Sequence, residues 1–254
     1  MKKILIIFTS LILSFASQAQ QLKQVDSDAV DSLKNIKFKY KQLIIPVVLT
    51  SYGFVALHNS KLLEFNRSVR NEIIKDNHSN LHIDDYSQYI PALTVYALNN
   101  LGVKGKNNLR NRSVILATSL GLVATSVTAL KSVSNIERPD ESSNNSFPSG
   151  HTALAFAGAE FLYQEYKDQS IWYGISGYLV ATATGGLRMY NNRHWLNDVV
   201  AGAGIGILCT KTAYWLNPYI NKILFNEKNS SSSAAIFSPY YDGKTLGGSF
   251  AMSF

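Results

Sequence analysis

The chain alternates between long uncharged runs and short charged segments, and this pattern predicts its architecture. Most of the runs are 18 or 19 residues long, which is the lower limit for a helix that crosses a bilayer core of ~30 Å at ~1.5 Å per residue. The uncharged runs cover residues 42–60, 86–103, 113–130, 142–159, 169–187 and 199–210. We predict an all-α bundle of about six core helices that is embedded in a membrane. Buried helices of a soluble all-α bundle are the alternative, because they would give the same pattern.

The first run differs from the others because Pro46, Gly53 and His58 interrupt it. Proline and glycine in the interior of a helix favour a bend or a break. We therefore expect residues 42–60 to form a re-entrant or surface-lying helix, with a full membrane span as the alternative.

The two ends of the chain differ from its apolar middle. The N-terminal end has the parts of a signal peptide: a basic start, an apolar core and a small-residue cleavage site. An uncleaved membrane anchor is the alternative for this segment. A serine-rich stretch near the C-terminal end is typical of a linker, and the turn residues Asp242 and Gly243 after it predict a hairpin. We predict four regions: a signal peptide, an N-terminal helical region, an apolar helical core, and a linker with a tail, over residues 1–19, 20–85, 86–225 and 226–254.

Charge indicates the partners and the orientation of the chain. The 24 basic and 17 acidic side chains leave a net charge of +7, which favours anionic partners. Nucleic acid is not expected, because no run of Lys and Arg alternates with aromatic residues. The loop 104–112 carries four positive charges and no acid, so the positive-inside rule places it in the cytoplasm. The segment after the next run would then face the periplasm of a bacterial inner membrane, unless residues 42–60 span the membrane behind a cleaved signal.

The segment Pro148-Ser149-Gly150-His151 predicts an anion site at the start of a helix. Ser149 is placed to cap this helix, whose free N–H groups and positive dipole end attract an anion. Gly150 lets the backbone approach a bound group, and His151 stands beside that group as a proton donor. Taken by itself, the segment also fits an ordinary capped helix with an incidental histidine.

A second histidine, His194, lies four residues before Asp198. On a helix this spacing puts both side chains on one face. The carboxylate would then fix the imidazole tautomer and leave Nε2 free for nucleophilic attack. A surface His–Asp pair has the same spacing. Zinc is not expected, because the sequence has no HxxxH pair, thiolate or second carboxylate at ligand spacing near these residues.

Three cations flank the two histidines: Lys131, Arg138 and Arg188. A single charged residue next to an apolar run is usually solvated or snorkels to the interface. Together, however, these residues suit a phosphoryl group, because arginine contacts phosphate oxygens in pairs and lysine adds a point charge. We interpret them as a cradle for phosphate.

The order K-x6-RP, PSGH and R-x5-H-x3-D resembles the signature of the type 2 phosphatidic acid phosphatase (PAP2) superfamily. This superfamily also includes bacterial class A acid phosphatases and vanadium haloperoxidases. The three motifs cover residues 131–198, and the flanking apolar runs extend the likeness to 86–216. The resemblance implies an all-α bundle whose motifs lie together at one end of the helices.

The resemblance also implies a role for each motif residue. His194 would be the nucleophile that forms a phosphohistidine, Asp198 would orient it, and His151 would be the general acid. The phosphate would be bound by Lys131, Arg138, Ser149, Gly150 and Arg188. The serine that usually precedes the arginine of the third motif is Leu187 here, a change that affects substrate preference or rate more than reaction class. Arg193 adds a positive charge that either compensates for this change or points to solvent.

We therefore expect a metal-independent phosphatase of the bacterial envelope, without a cofactor, that acts on a lipid phosphate. The candidate substrates are phosphatidate, phosphatidylglycerol phosphate, undecaprenyl diphosphate and a phosphate of lipid A. One alternative is a soluble periplasmic acid phosphatase of broad specificity. Another is a vanadate-dependent haloperoxidase, in which His194 would hold vanadate. The oligomeric state has no signal in the sequence.

Overall fold

A computed structural model describes residues 40–75, 82–225, 234–241 and 246–253 of the chain. The predicted signal peptide, the residues between it and position 40, the serine-rich linker and the predicted hairpin turn lie outside the described residues. The chain divides into two compact units, Met1–Leu43 and Ile44–Phe254. The described part of the first unit is a 3-10 helix, Tyr40–Leu43.

Helices make up most of the second unit, as the sequence pattern predicts. The described residues contain eight α-helices. They are α1 (Ile44–Ala56), α2 (Ser60–Ile73), α3 (Asp84–Ser87), α4 (Ile90–Asn100), α5 (Leu109–Ser134), α6 (Gly150–Tyr166), α7 (Ile171–Tyr190) and α8 (Leu196–Phe225). The prediction of a helical bundle is confirmed.

The C-terminal tail forms a β-hairpin, which agrees with the expectation from its turn residues. Strand β1 (Ala234–Tyr241) pairs antiparallel with β2 (Leu246–Ser253). In this register, Ala234 lies opposite Ser253 and Tyr241 lies opposite Leu246.

Two helices begin or end at other residues than the uncharged runs predict. The run 142–159 begins as a loop, and α6 starts only at Gly150, because the first residues of the run are uncharged but polar. Helix α8 is 30 residues long and continues well beyond the run 199–210. It contains Lys211, a buried cation whose Nζ lies 2.6 Å from Oε1 of Glu160. An internal ion pair therefore lets the helix continue through a charged position.

Glycines allow α8 to lie very close to its neighbours α6 and α1. A Cβ atom added to Gly206 would overlap the carbonyl oxygen of Ala153 in α6. One added to Gly202 would lie 2.6 Å from the carbonyl oxygen of Ser149. Small residues spaced four apart are typical of tight helix contacts in membrane proteins. Helix α6 also packs against α4 and α7, and α8 packs against α5.

Helices α6 and α8 run in the same direction. Near their starts, Gly202 of α8 faces Ser149, and further along both helices Thr210 donates a hydrogen bond to the carbonyl oxygen of Ala157 at 3.1 Å. The starts of these two helices therefore lie side by side at one end of the bundle.

Helices α5 and α7 run in the opposite direction. Asn111 at the start of α5 accepts a hydrogen bond of 3.0 Å from Asn221 near the end of α8. Gly185 near the end of α7 packs against Thr152 near the start of α6. The ends of α5 and α7 therefore meet the starts of α6 and α8, and all three sequence motifs lie at this end.

The basic loop lies at the other end of the bundle. Arg112, at the start of α5, is buried, and its Nε lies 3.4 Å from Oε2 of Glu165 near the end of α6. The remaining cations of the loop, Lys104, Lys106 and Arg110, are exposed. Three of the four positive charges that predicted the orientation thus reach the surface, and the fourth is neutralised inside the bundle.

Among the described residues, two helices, α5 and α8, are long and apolar enough to cross a membrane. A third candidate, made by Tyr40–Ala56 and α2, bends by 97° as a broken span or re-entrant loop would. On its outer face α7 exposes large apolar side chains, including Trp172 at 71% and Leu179 at 66%. The chain is a membrane-associated protein, and the break expected in the run 42–60 is present between α1 and α2.

Replacing Gly206 by alanine should lower the stability of the bundle by about 1–3 kcal/mol. The added methyl group would overlap the backbone of α6, which can move only if α6 and α8 separate. Thermal unfolding in detergent measures this effect.

Gly121→Ala is the matched control, because a Cβ atom there meets nothing within 4 Å. Alanine favours a helix by about 1 kcal/mol over glycine, so this variant should unfold at the wild-type temperature or above. An unfolding temperature of Gly206→Ala equal to that of Gly121→Ala would contradict the close contact.

Candidate active site

A cavity of about 320 Å³ lies at the end of the bundle that carries the three motifs, between α3, the start of α6 and the end of α7. Its lining is polar and charged, and it includes three of the predicted site residues, Arg138, His151 and Arg188. The lining residues are His82, Asp84, Asp85, Arg138, His151, Arg188, Asn191 and Arg193. Of the other five predicted residues, Lys131 lies near the end of α5, Ser149 and Gly150 lie at the start of α6, His194 lies in the turn before α8, and Asp198 lies in the first turn of α8.

Helix α6 begins with the predicted cap. The Oγ of Ser149 lies 3.5 Å from the backbone N of Thr152 and 2.9 Å from its hydroxyl oxygen. Ser149 is completely buried, so its hydroxyl serves the helix, and its contact with phosphate stays a prediction. A Cβ atom on Gly150 would meet Val127 at an ordinary distance of 3.5 Å. Packing therefore does not require glycine at position 150, and its role toward phosphate also stays a prediction.

His194 and Asp198 come together as their spacing predicts, although His194 lies in the turn before α8 rather than on the helix. Its Nδ1 is 3.5 Å from Oδ2 of Asp198. The same carboxylate oxygen accepts hydrogen bonds from the hydroxyl of Ser146 at 2.5 Å and from the N–H of Trp195 at 2.9 Å. Because its carboxylate receives the N–H of Trp195, Asp198 caps the helix, which begins at Leu196.

The surroundings of His194 keep its imidazole neutral. The residue is 3% exposed. Burial lowers the pKa of His194 to about 4, and the positive charges of Arg188 and Lys131 act in the same direction, against the effect of Asp198. A neutral imidazole has a ring nitrogen with a free lone pair, which nucleophilic attack requires.

The two cations of the first motif contact the loop before α6. Lys131 donates through Nζ to the carbonyl oxygen of Asn145, and its Nζ lies 3.5 Å from the carbonyl oxygen of Ser146. Arg138 donates through Nε to Oδ1 of Asn145 at 3.0 Å. Burial, and after it the positive charge of Arg188, lowers the pKa of Arg138. The two guanidinium groups therefore repel each other, and an anion between them would relieve this repulsion.

The guanidinium of Arg188 is paired with Asp84 through one nitrogen, and another of its nitrogens is buried without a partner among the described residues. Its Nη1 donates to Oδ2 of Asp84, whose other oxygen accepts a hydrogen bond of 3.0 Å from Asn191. The Nε of Arg188 is buried and has no hydrogen-bond partner within the described part of the chain. A buried donor without a partner costs about 1–3 kcal/mol. The guanidinium is thus fixed in place by Asp84 and keeps one buried donor, Nε, that is not paired within the described residues.

Two acidic residues of the cavity, Asp84 and Asp85, were not predicted from the sequence. They open α3, and Oδ1 of Asp85 lies 3.0 Å from Nε2 of His151. The ligand atoms of these three residues lie within 4.8 Å of one another, close enough for a metal ion. Each carboxylate already has a cation or an imidazole as its partner, however, and the cluster forms an ion-pair network. The available signal was an Asp-Asp pair just before the uncharged run 86–103.

Arg193 and Leu187, the residue that departs from the family pattern, have different surroundings. Arg193 lines the cavity, and its Nη1 is 2.9 Å from Oδ2 of Asp140. Leu187 is half-buried on α7 and supplies no polar group to the cavity. The extra positive charge therefore lies at the site, whereas the serine hydroxyl has no replacement at its own position.

Helix α2 connects the loops of the first and third motifs. Arg70 donates through Nε to Oδ1 of Asn192 at 2.9 Å and through Nη2 to the carbonyl oxygen of Pro139 at 3.0 Å. Its guanidinium carbon lies 6.0 Å from the centre of the Trp195 ring. A single arginine outside the motifs thus contacts both loops.

The family model described as the PAP2 superfamily matches residues 112–222. This segment belongs to the PAP2 superfamily. The PAP2 segment contains all eight predicted site residues and the helices α6, α7 and most of α5 and α8. Arg70, Asp84 and Asp85 lie outside it.

The chain is also similar to three known proteins. Over 139 residues the chain is 40% identical to a lipid A 1-phosphatase from Porphyromonas gingivalis, in a match that covers 54% of this chain and 31% of the length of that relative. The fold is similar to that of a transmembrane PAP2 type phosphatidylglycerolphosphate phosphatase from Bacillus subtilis, with a TM-score of 0.51, 20% identity, and 69% and 97% of the two chains covered. The LpxE structure from Aquifex aeolicus gives a TM-score of 0.47 and 24% identity over 59% and 95% of the two chains.

Arg188→Lys should weaken the binding of orthovanadate by about tenfold. Lysine keeps the positive charge beside Asp84 but lacks the unpaired Nε donor and the planar guanidinium of arginine. Isothermal titration in detergent measures the affinity. Arg110→Lys makes the same change at the opposite end of the bundle, where the side chain is exposed, and should bind vanadate like the wild type. Equal affinities of the Arg188→Lys variant and the wild type would show that this cavity is not the anion site.

Proposed function

We propose that the protein is a metal-independent phosphatase that removes a phosphate group from a membrane lipid through a phosphohistidine at His194. The observation that carries the proposal is the meeting of a buried His194–Asp198 pair with three cations and a second histidine at one end of the bundle. The PAP2 segment supports the same reaction class.

In the first step, Nε2 of His194 attacks the phosphorus atom. Asp198 accepts the hydrogen of Nδ1 and thereby holds the reactive tautomer. A bond from Nε2 to phosphorus forms while the bond from phosphorus to the leaving oxygen breaks. His151 gives its proton to that oxygen. The products are phosphohistidine and the lipid alcohol, or the lipid monophosphate when the substrate is a diphosphate.

In the second step, a water molecule attacks the phosphohistidine. Its oxygen bonds to phosphorus as the bond to Nε2 of His194 breaks, and His151 takes the proton that the water loses. Inorganic phosphate is released, and both imidazoles return to their starting protonation states.

The cations stabilise the negative charge that spreads over the phosphoryl oxygens in both transition states. Arg188 would donate a hydrogen bond to the phosphoryl group through its unpaired Nε, and Arg138, which also lines the cavity, would contact the same group. Lys131 donates to backbone carbonyl groups of the loop, so it would contribute its charge and the shape of that loop. These fixed charges take the part that a metal ion has in other phosphoryl-transfer enzymes.

A lipid substrate suits the position of the cavity. Its lining includes Arg138 in the loop after α5 and Arg193 in the loop before α8, and α5 and α8 are the two described helices that could cross a membrane. A lipid tail could stay beside the apolar outer surface of α7 while its head group enters the cavity. The relative from P. gingivalis is named a lipid A 1-phosphatase, and among the candidate substrates we favour a phosphate of lipid A for this reason.

The orientation follows from the basic loop. Its exposed cations lie at the end of the bundle opposite to the cavity, and cationic loops stay on the cytoplasmic side. We infer that the protein lies in the bacterial inner membrane with its active site facing the periplasm.

The purified protein in mixed micelles should release inorganic phosphate from lipid A in the presence of EDTA. Phosphatidate, phosphatidylglycerol phosphate and undecaprenyl diphosphate complete the substrate panel. His194→Ala should lower the rate by more than about a thousandfold, because the nucleophile is lost. His58→Ala, which removes a histidine between α1 and α2, is the matched control and should keep the wild-type rate.

Three results would contradict the proposal. Loss of activity in EDTA that a divalent cation restores would refute the metal-independent mechanism. Hydrolysis of small soluble esters alone would refute the lipid substrate. Halide oxidation that requires added vanadate, without phosphate release, would identify a haloperoxidase instead.

A further inference from the structure

We propose that Asp85 is a positioning residue for the proton donor: it orients the imidazole of His151 and keeps it protonated until the leaving oxygen takes the proton. The proposal rests on the proposed function and adds to it a residue from outside the PAP2 segment. Its basis is the distance of 3.0 Å between Oδ1 of Asp85 and Nε2 of His151.

Two contacts fix the helix that carries Asp85. The hydroxyl groups of Ser87 and Thr184 are 2.7 Å apart and buried, and one turn further along α7 Arg188 is paired with Asp84. Residues three or four apart lie on one face of a helix, so α3 and α7 meet through matching faces. Asp84 and Ser87 are both buried. The position of Asp85 beside His151 is therefore set by a packed interface.

Each histidine of the site has an aspartate partner, but the surroundings of the two pairs differ. His194 with Asp198 is buried, whereas the side chains of His151 and Asp85 are 29% and 48% exposed. Exposure lets the second pair carry a proton at lower cost, because water solvates the charged form. The buried imidazole of His194 thus suits attack in its neutral form, and the half-buried imidazole of His151 suits proton donation.

The contact with Asp85 explains how one imidazole can serve both steps. A protonated imidazole has two N–H groups. With the Nε2 hydrogen bonded to Asp85, the hydrogen on Nδ1 is the one available to the leaving oxygen. The neutral imidazole that remains keeps its contact with Asp85, and its Nδ1 can accept the proton from water in the second step.

The charges around His151 determine how it responds to the loss of Asp85. Burial, followed by the positive charge of Arg188, lowers the pKa of His151, and the hydrogen bond and negative charge of Asp85 raise it, together with the charge of Asp84. Without Asp85, the lowering effects would remain and the raising effects would be reduced. The charged and titratable groups that share the cavity with His151 are His82, Asp84, Asp85, Arg138, Arg188 and Arg193.

The test is the pH dependence of kcat/KM for phosphate release from the lipid. In the wild type, kcat/KM should rise as His194 loses its proton near pH 4. It should fall as His151 loses its proton, below the usual value of about 6.5. Asp85→Asn should move this falling limb by about one pH unit to lower pH. Its kcat/KM would then be about tenfold lower at pH 7.5 but within about threefold of the wild type at pH 5.

Two further variants make the test specific. Asp85→Glu keeps the carboxylate and should keep the falling limb near the wild-type position. Asp168→Asn removes an exposed acidic residue after the end of α6, at the opposite end of the bundle, and should have the wild-type profile. Thermal unfolding checks that each variant is folded.

Several outcomes would overturn the proposal. An equal loss at every pH in Asp85→Asn would mean a purely structural role, and an unmoved profile would mean that Asp85 does not act on His151. Faster turnover at pH 7.5 would mean that the carboxylate competes with phosphate for the site. If the wild-type protein released no phosphate, the proposed function would be refuted together with the role of Asp85. If only the Asp85 variants departed from the expected profiles, the role of Asp85 alone would be refuted.

Discussion

The site depends on one backbone hydrogen bond, in which the N–H of Ser149 donates to the carbonyl oxygen of Asp198 at 3.0 Å. This bond joins the start of α6, which carries the proton donor, to the start of α8, which carries the carboxylate of the nucleophile pair. The glycines at positions 202 and 206 permit the close approach, because any side chain there would meet the backbone of α6. Helix packing and active-site geometry are therefore set by the same contact.

Charge pairing is the second constraint on the site. Arg188, His151 and Arg193 each have an aspartate partner from another part of the chain. Such ion pairs contribute little net stability, because the loss of solvation offsets the attraction of the buried pair and solvent screens the attraction of the partly exposed pairs. Their value here is in fixing the orientation of the cations before a substrate arrives, which is the electrostatic preorganisation that catalysis requires. Within the described part of the chain, the buried Nε of Arg188 has no hydrogen-bond partner despite this pairing.

The sequence predicts those parts of the site that local spacing determines. The cap at Ser149 and the pairing of His194 with Asp198 involve residues at most four positions apart, so local spacing is sufficient to predict them, although His194 lies in the turn before α8 rather than on the helix. Asp84 and Arg188, in contrast, are 104 positions apart, and no local pattern brings them together. The pattern of charged segments predicts most of the helices for a similar reason. Charged residues are concentrated in the loops, so most uncharged runs between two loops correspond to helices. The pattern fails where Ser and Asn residues make an uncharged loop before α6, and where a buried ion pair at Lys211 lets α8 continue.

The measurement that tests the central claim most directly is isolation of the covalent intermediate. The protein would be mixed with a lipid substrate labelled with ³²P at the phosphate, quenched in alkali within the first turnover, digested and analysed by mass spectrometry. The account predicts a phosphoryl group on the imidazole of His194, formed and lost at rates compatible with turnover. Phosphate release at the wild-type rate with no label on His194, or with label on another residue, would contradict it.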